Sequence, residues 1–411
     1  MSYPKFTKEM VKTHTILIPS MADIHFRLFE RALIGCGYKV EVLKNKSEAC
    51  CNEGLKYVHN DTCYPATLVI GQFIDALNNR ERTDDVALLI TQTGGGCRAS
   101  NYLHLLRKAL IKAGYPHVPV LSLNMSNLEK DSGLVIDLKM IRKICAALIY
   151  GDMLMYLYNK TRSYELEPNA SKNLVDKWIQ NISNDIDANK GIKFFQMKKR
   201  LNEIAKDFAN LKVSKAKKIK VGIVGEIYVK YAALGNNDLE DFLISQDCEI
   251  MVPGILGFGF YCIYNSLYDI NLYGGKKTKK ILPSLLIKYL ELLEGLMIKA
   301  IKKNTEIVPM QPFKHTKEMS NGVIDHGVKM GEGWLLTAEM VELTQIGYEN
   351  IVCAQPFGCL PNHICGKGVM KQIKELYPQS NIVAIDYDPS ATKVNQENRI
   401  KLMLAIAKER L

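Results

Sequence analysis

DDVALLITQTGGGC, residues 84–97, is the stretch whose reading decides the fold. Its apolar run from Val86 to Gln92 is short, rich in β-branched residues, and bounded by acidic residues before and glycines after, the pattern of a buried strand. ENIVCAQPFGC, residues 349–359, runs through the same succession of polar start, apolar strand, glutamine, glycine and cysteine. Ligands of open α/β sheets gather at the carboxyl ends of strands, so Cys97 and Cys359 both fall where binding sites form.

The pattern extends outward from these two strands. THTILIPS (13–20) leads into a helical IHFRLFERALIGCG, then YKVEVL (38–43), a helix from Cys63 to Asn78, the VALLITQ strand, a helix from Arg98 to Ala113, and VPVLSL (118–123). Short apolar runs alternating with amphipathic stretches predict a parallel sheet covered by helices. From about Asp131 the periods become long and helical, as in IRKICAALIYGDMLMYLY and GIKFFQMKKRLNEIAKDFANL. A second alternation begins at IKVGIVGEIYV (219–229). It continues through CEIMVP, helices at 281–303 and 334–347, NIVCAQ (350–355), a helix from Lys367 to Tyr377 and NIVAIDYD (381–388), and closes on a final helix. The sequence therefore predicts an α/β protein with two doubly wound domains built on parallel sheets, over 1–130 and 217–411. A helical segment over 131–216 joins them.

A chain of 411 residues with 47% hydrophobic content can bury more than one core. No stretch reaches the ~18 uninterrupted apolar residues of a membrane span. The opening MSYPKFTKEMVKTH is too polar for a signal peptide, so the expectation is a cytoplasmic protein with no membrane partner. Much of the +11 formal charge sits in KVSKAKKIK (212–220) and GGKKTKK (274–280). Neither cluster has interleaved aromatics or a nucleic-acid-binding signature, so a solvated linker and a solvated loop are expected, with no nucleic-acid partner. Eleven cysteines, an odd number with no export signal, argue against a disulfide framework.

The GGGC loop fits no phosphate template. Gly94, Gly95 and Gly96 are contiguous and lead to Cys97-Arg98, with neither the lysine-hydroxyl pair of a P-loop nor the spaced glycines of a dinucleotide fingerprint. In NDTCYPATLVIGQF, helix-capping residue types and Pro65 place Cys63 at a helix N-terminus, and Cys97 precedes the helix near Arg98. Cys359, in QPFGCLPNHICGKG (355–368), is expected in a loop leading to the helix from Lys367. Free amides at such places favour a thiolate or a thiolate-bound cluster. The glycine run and Gly358 leave room for backbone amides to approach inorganic sulfide. Three other readings stay open on spacing alone: a nucleophilic cysteine with His104 or His363 as base, a zinc site, and structural cysteines. The first lacks a protease-type motif, and zinc usually brings close pairs such as C-x-x-C, which are missing.

NDTCYPATLVIGQFIDAL, LLITQTGGGCRASNYLHLLRKAL, MGEGWLLTAEM and QPFGCLPNHICGKGVMKQIKELYPQSNIVAIDYD resemble the 2-hydroxyacyl-CoA dehydratase component family. The likeness is greatest to the branch fused behind, or encoded with, ATP-dependent activator domains, and it covers most of the chain in order. The resemblance implies a [4Fe-4S] cluster, sensitive to oxygen, held by Cys63, Cys97 and Cys359 with one iron left open. It also implies an activator of the actin-like ATPase type that delivers a low-potential electron, used to form a ketyl radical from a thioester so that water can leave. A related branch, the double-cubane cluster proteins, holds an [8Fe-9S] cluster and looks homodimeric; Cys36, Cys262, Cys353 and Cys365 are the candidates for its additional ligands. True dehydratases pair two related subunits, so a homodimer or a related subunit is the expected assembly.

Arg98 is a candidate for balancing cluster charge or docking an anionic substrate, and Glu332 for an acid or base near the cleft. Gln92 and Gln355 either donate to sulfides or hold loop amides, Asn236 reads as a helix cap, and Trp334 as core. Cys50, Cys51, Cys145 and Cys248 read as structural.

Overall fold

The computed structural model describes residues 3–59, 61–93, 96–124, 134 and 137–410. β1 (Thr15–Ile18), β2 (Lys39–Val42), β3 (Val86–Gln92) and β4 (Val120–Asn124) form one sheet in the order β2-β1-β3-β4. β5 (Ile219–Gly225), β6 (Cys248–Met251), β7 (Asn350–Pro356) and β8 (Asn381–Tyr387) form the other in the order β6-β5-β7-β8. Every pairing is parallel, so the protein has the two α/β sheets that the alternating pattern predicts. Strand order reverses beside the first strand of each sheet, which opens a crevice at the carboxyl ends of β1 and β3, and of β5 and β7. β3 and β7 hold the same place in their sheets, and this is what the echo between 84–97 and 349–359 records.

One helix ties the sheets together. In Tyr64–Asn78 only Ala76 and Asn78 escape burial, so it has no solvent face. Its Leu68, Ile70 and Phe73 belong to one hydrophobic cluster with Leu88 of the first sheet and Val221 and Val352 of the second. Against Glu48–Tyr57 it packs backbone to backbone: a Cβ at Gly71 would stand 1.8 Å from the Cys50 carbonyl oxygen, and one at Gly54 2.1 Å from that of Thr67. Only glycine permits that crossing.

Residues 138–209 form three helices, Leu138–Thr161, Ala170–Asp187 and Phe194–Ala209. Their Tyr150, Trp178 and Leu201 share a core with Leu28 of the Asp23–Ile34 helix and Leu293 of the Ile281–Asn304 helix. Two buried charges fix this layer. Lys143 donates to the carbonyls of Gly35 (3.0 Å) and Ile186 (2.9 Å), placing a cation at the C-terminal ends of two helices. Asp152 accepts from His25 Nε2 (2.7 Å) and from the backbone N–H groups of Ile255 (2.8 Å) and Leu256 (3.0 Å), capping the Ile255–Leu272 helix. A single carboxylate thereby joins elements of both sheets to the helical layer.

Two local expectations change. The helix from Arg98 to Ala113 opens as a tight 3-10 turn, Arg98–Asn101, before Tyr102–Lys112. The segment before Lys367 is not a plain loop: Pro361 opens a short helix, Leu360–Cys365, directly after Cys359, and the next helix, Met370–Leu376, follows a 3-10 turn. Among the described residues no helix is long and apolar enough to cross a membrane. Lysines 212, 215, 217, 276, 277 and 279 are exposed, Trp334 is fully buried, and Asn236 Oδ1 accepts from Leu239 N (3.1 Å) at a helix start.

Asp152→Ala leaves His25 and two helix-end amides without their acceptor. It is expected to cost about 3–5 kcal/mol, read as a lower urea midpoint. A loss below about 1 kcal/mol would show that these groups find other partners.

Candidate metal centre

Each of the three cysteines stands where a strand or loop turns into a helix. Cys63 is the N-cap of Tyr64–Asn78, Cys97 that of the 3-10 turn after β3, and Cys359 that of Leu360–Cys365 after β7. Although 34 and 262 residues separate them along the chain (97 minus 63, 359 minus 97), the fold brings them together. The Cys97 thiol lies within electrostatic reach of both Cys63 and Cys359, and Cys63 Cα is 3.8 Å from where a Cβ would stand on Gly358. Gly358 has φ +76°, a left-handed turn that suits glycine and aims the Cys359 loop toward Cys63.

The loops brace one another. Arg98 donates to the Asp61 carbonyl, and its Nη1 lies 3.3 Å from the Cβ position of Gly358, so it spans the loops of all three cysteines. Gly96 N donates to Met330 Sδ (2.9 Å), while Gly94 and Gly95 lie outside the described residues. Gln92 Nε2 donates to the Ser100 carbonyl (2.9 Å) and Gln355 Nε2 to Asp386 (2.5 Å), so both amides hold local structure.

Two carboxyl groups complete the surroundings. Glu332 accepts from Ile227 N (3.0 Å) and from Asn362 Nδ2 (2.8 Å). Glu226 follows β5 and caps the next short helix through Val229 N (2.8 Å). Burial raises the pKa of both, and for Glu226 the neighbouring Glu332 raises it further. Burial pushes the Cys63 thiol up to about 11, Cys97 above its ordinary value, and Cys359 much further, with Glu332 and Glu226 adding to the last.

Burial disfavours the thiolate form of all three, and a cationic group among them would reverse that balance. Lys230 is paired with Glu339 (3.1 Å), which leaves the Arg98 guanidinium, with Nη1 on the Asp61 carbonyl, as the cation standing between the cysteine loops. Three soft donors converging from three elements therefore fit the thiolate set of an iron–sulfur cluster. Among the described residues no three His, Cys, Asp or Glu side chains lie close enough to share a single metal ion. A cluster takes one thiolate per iron and spaces its ligands more widely. No histidine among the described residues hydrogen-bonds to the three thiols; His363 Nδ1 is buried without a partner, and the cysteine–histidine nucleophile arrangement is not formed.

The other cysteines group differently. Cys262, Cys353 and Cys365 lie within the electrostatic reach of Glu332, Cys353 and Cys365 buried and Cys262 half-buried. Cys36 lies beside Lys143. All eleven cysteines are free of disulfides.

Sequence reasoning missed Tyr102 and Asn362. Tyr102 Oη lies 2.9 Å from Cys63 Sγ, and Asn362 Nδ2 donates to Cys359 Sγ (3.5 Å). Asn362 had a local signal, standing three residues after an N-cap; Tyr102 had none, because its partner is 39 residues away. Comparison of the chain with models of protein families and with curated proteins gave no match.

The raised carboxyls set a pH dependence. Their contribution to stability is complete below the ordinary value of 4.5 and is lost as pH rises through the raised values. In chelator-treated protein, the Glu226→Gln/Glu332→Gln variant is expected to lose less melting temperature than the wild type between pH 5 and pH 8. Identical losses would show that the two groups ionise as freely as in the unfolded chain.

Proposed function

We propose that this chain is an iron–sulfur protein resembling a 2-hydroxyacyl-CoA dehydratase component, with Cys63, Cys97 and Cys359 holding a [4Fe-4S] cluster. The convergence of those three thiols at the carboxyl ends of β3 and β7 is the observation that supports it. Such a cluster would supply one-electron chemistry at low potential and an open iron for a water, hydroxyl or substrate oxygen. The chain's own residues do the rest. Cys63, Cys97 and Cys359 bind, Gly358 makes the turn that brings two loops together, and Arg98 braces those loops.

Glu332 is the residue placed to exchange a proton beside the thiols. Burial raises the proton affinity of its carboxyl, and Ile227 N and Asn362 steady it, which suits a group that passes a proton. The electron donor in this reading is an ATP-dependent activator of the actin-like ATPase type. The exposed Phe357, Leu360 and Ile364 give the rim beside Cys359 an apolar surface suited to such a partner. The setting is cytoplasmic, with the chain as a homodimer or beside a related subunit, acting in radical dehydration or small-molecule reduction.

Protein isolated or reconstituted without oxygen is expected to be brown, with broad visible absorption and about four irons per chain. Cys97→Ala is expected to lose most of that iron. Colourless protein after anaerobic reconstitution would leave the alternative, an assembly or binding partner with structural cysteines. About eight irons per chain would favour the double-cubane [8Fe-9S] arrangement.

A further inference from the structure

Cys63 and Cys359 each have a polar donor within hydrogen-bond reach, and an unpartnered hydroxyl stands near Cys97. The Tyr102 hydroxyl lies 2.9 Å from Cys63 Sγ. Asn362, fully buried, presents Nδ2 to Cys359 Sγ at 3.5 Å while the same group is held by Glu332. The Thr93 hydroxyl is buried with no hydrogen-bond partner among the described residues, and it stands near enough to Cys97 to oppose the rise that burial imposes on that thiol. The three donors come from different elements: the end of β3, the first residue of Tyr102–Lys112, and Leu360–Cys365.

Once the sulfurs are thiolates they can only accept, so tyrosine, asparagine and threonine must be the donors. A hydrogen bond donated to a ligand sulfur offsets negative charge, and it does so more strongly for the reduced, more negative state.

Resting on the function proposed above, we propose that Tyr102, Asn362 and Thr93 are positioning residues that each donate one hydrogen bond to a ligand thiolate and so raise the reduction potential of the cluster. Tyr102→Phe removes one hydroxyl and keeps the ring; Thr93→Val does the same for a smaller side chain.

The test is a redox titration of anaerobically reconstituted protein, read by electron paramagnetic resonance, with iron measured on the same samples. Tyr102→Phe is expected to bind as much iron as the wild type and to shift the one-electron equilibrium about tenfold against reduction, a midpoint lower by about 59 mV. Thr93→Val is expected to move it in the same direction and decides the matter if Tyr102→Phe does not fold. Normal iron with an unmoved midpoint in the folded variant overturns the tuning role and leaves the cluster reading standing. A wild type that takes up no iron overturns both.

Discussion

A helix with no solvent face has to be packed on every side, and the placement of Tyr64–Asn78 organises the molecule around that requirement. Its apolar side chains share one cluster with residues of both sheets, so the two halves do not have independent cores. Its N-cap is Cys63. The same burial that joins the halves therefore delivers the first thiol, and the glycines at 54 and 71 let the helix lie close enough to its neighbour for this to work. The strand order then carries Cys97 and Cys359 to matching sheet positions.

The centre is a balance of charges that would be unfavourable if left alone. Three thiols and two carboxyl groups share a largely dry space, and burial raises the pKa of every one of them. Backbone amides, the Tyr102 hydroxyl and the Asn362 amide lower the cost of negative charge, but none of them carries a full positive charge. Buried charges are tolerated when paired or bound to metal. The proposed cluster would provide that metal, and the protein's part would be to hold its ligands apart, dry and hydrogen-bonded.

Much of this was legible in the sequence because it is local. Strand runs, helix-capping residues before Tyr64 and the matching ends of β3 and β7 are set by near neighbours, so the fold class and the helix-end positions of Cys63 and Cys97 follow from reading along the chain. The short helix after Cys359 was obscured by glycine on both sides of it, although Pro361 marked its start. Contacts made across the fold were illegible. Asp152 caps a helix 103 residues away, and Glu332 meets Ile227 at 105 residues' separation. No period or spacing rule encodes such partners, because tertiary packing alone selects them. Arg98 adds a contact of the same kind: its Nη1 reaches the Asp61 carbonyl, 37 residues away.

The most direct test of the central claim asks how many thiolates hold the cluster. Mössbauer spectra of protein reconstituted anaerobically with ⁵⁷Fe would separate irons by their ligands. Three thiolates on a four-iron cluster predict one iron distinct from the other three, in a ratio of about one to three. Four equivalent irons would require a fourth cysteine and contradict the site described, and the absence of any cluster signal would contradict the account as a whole.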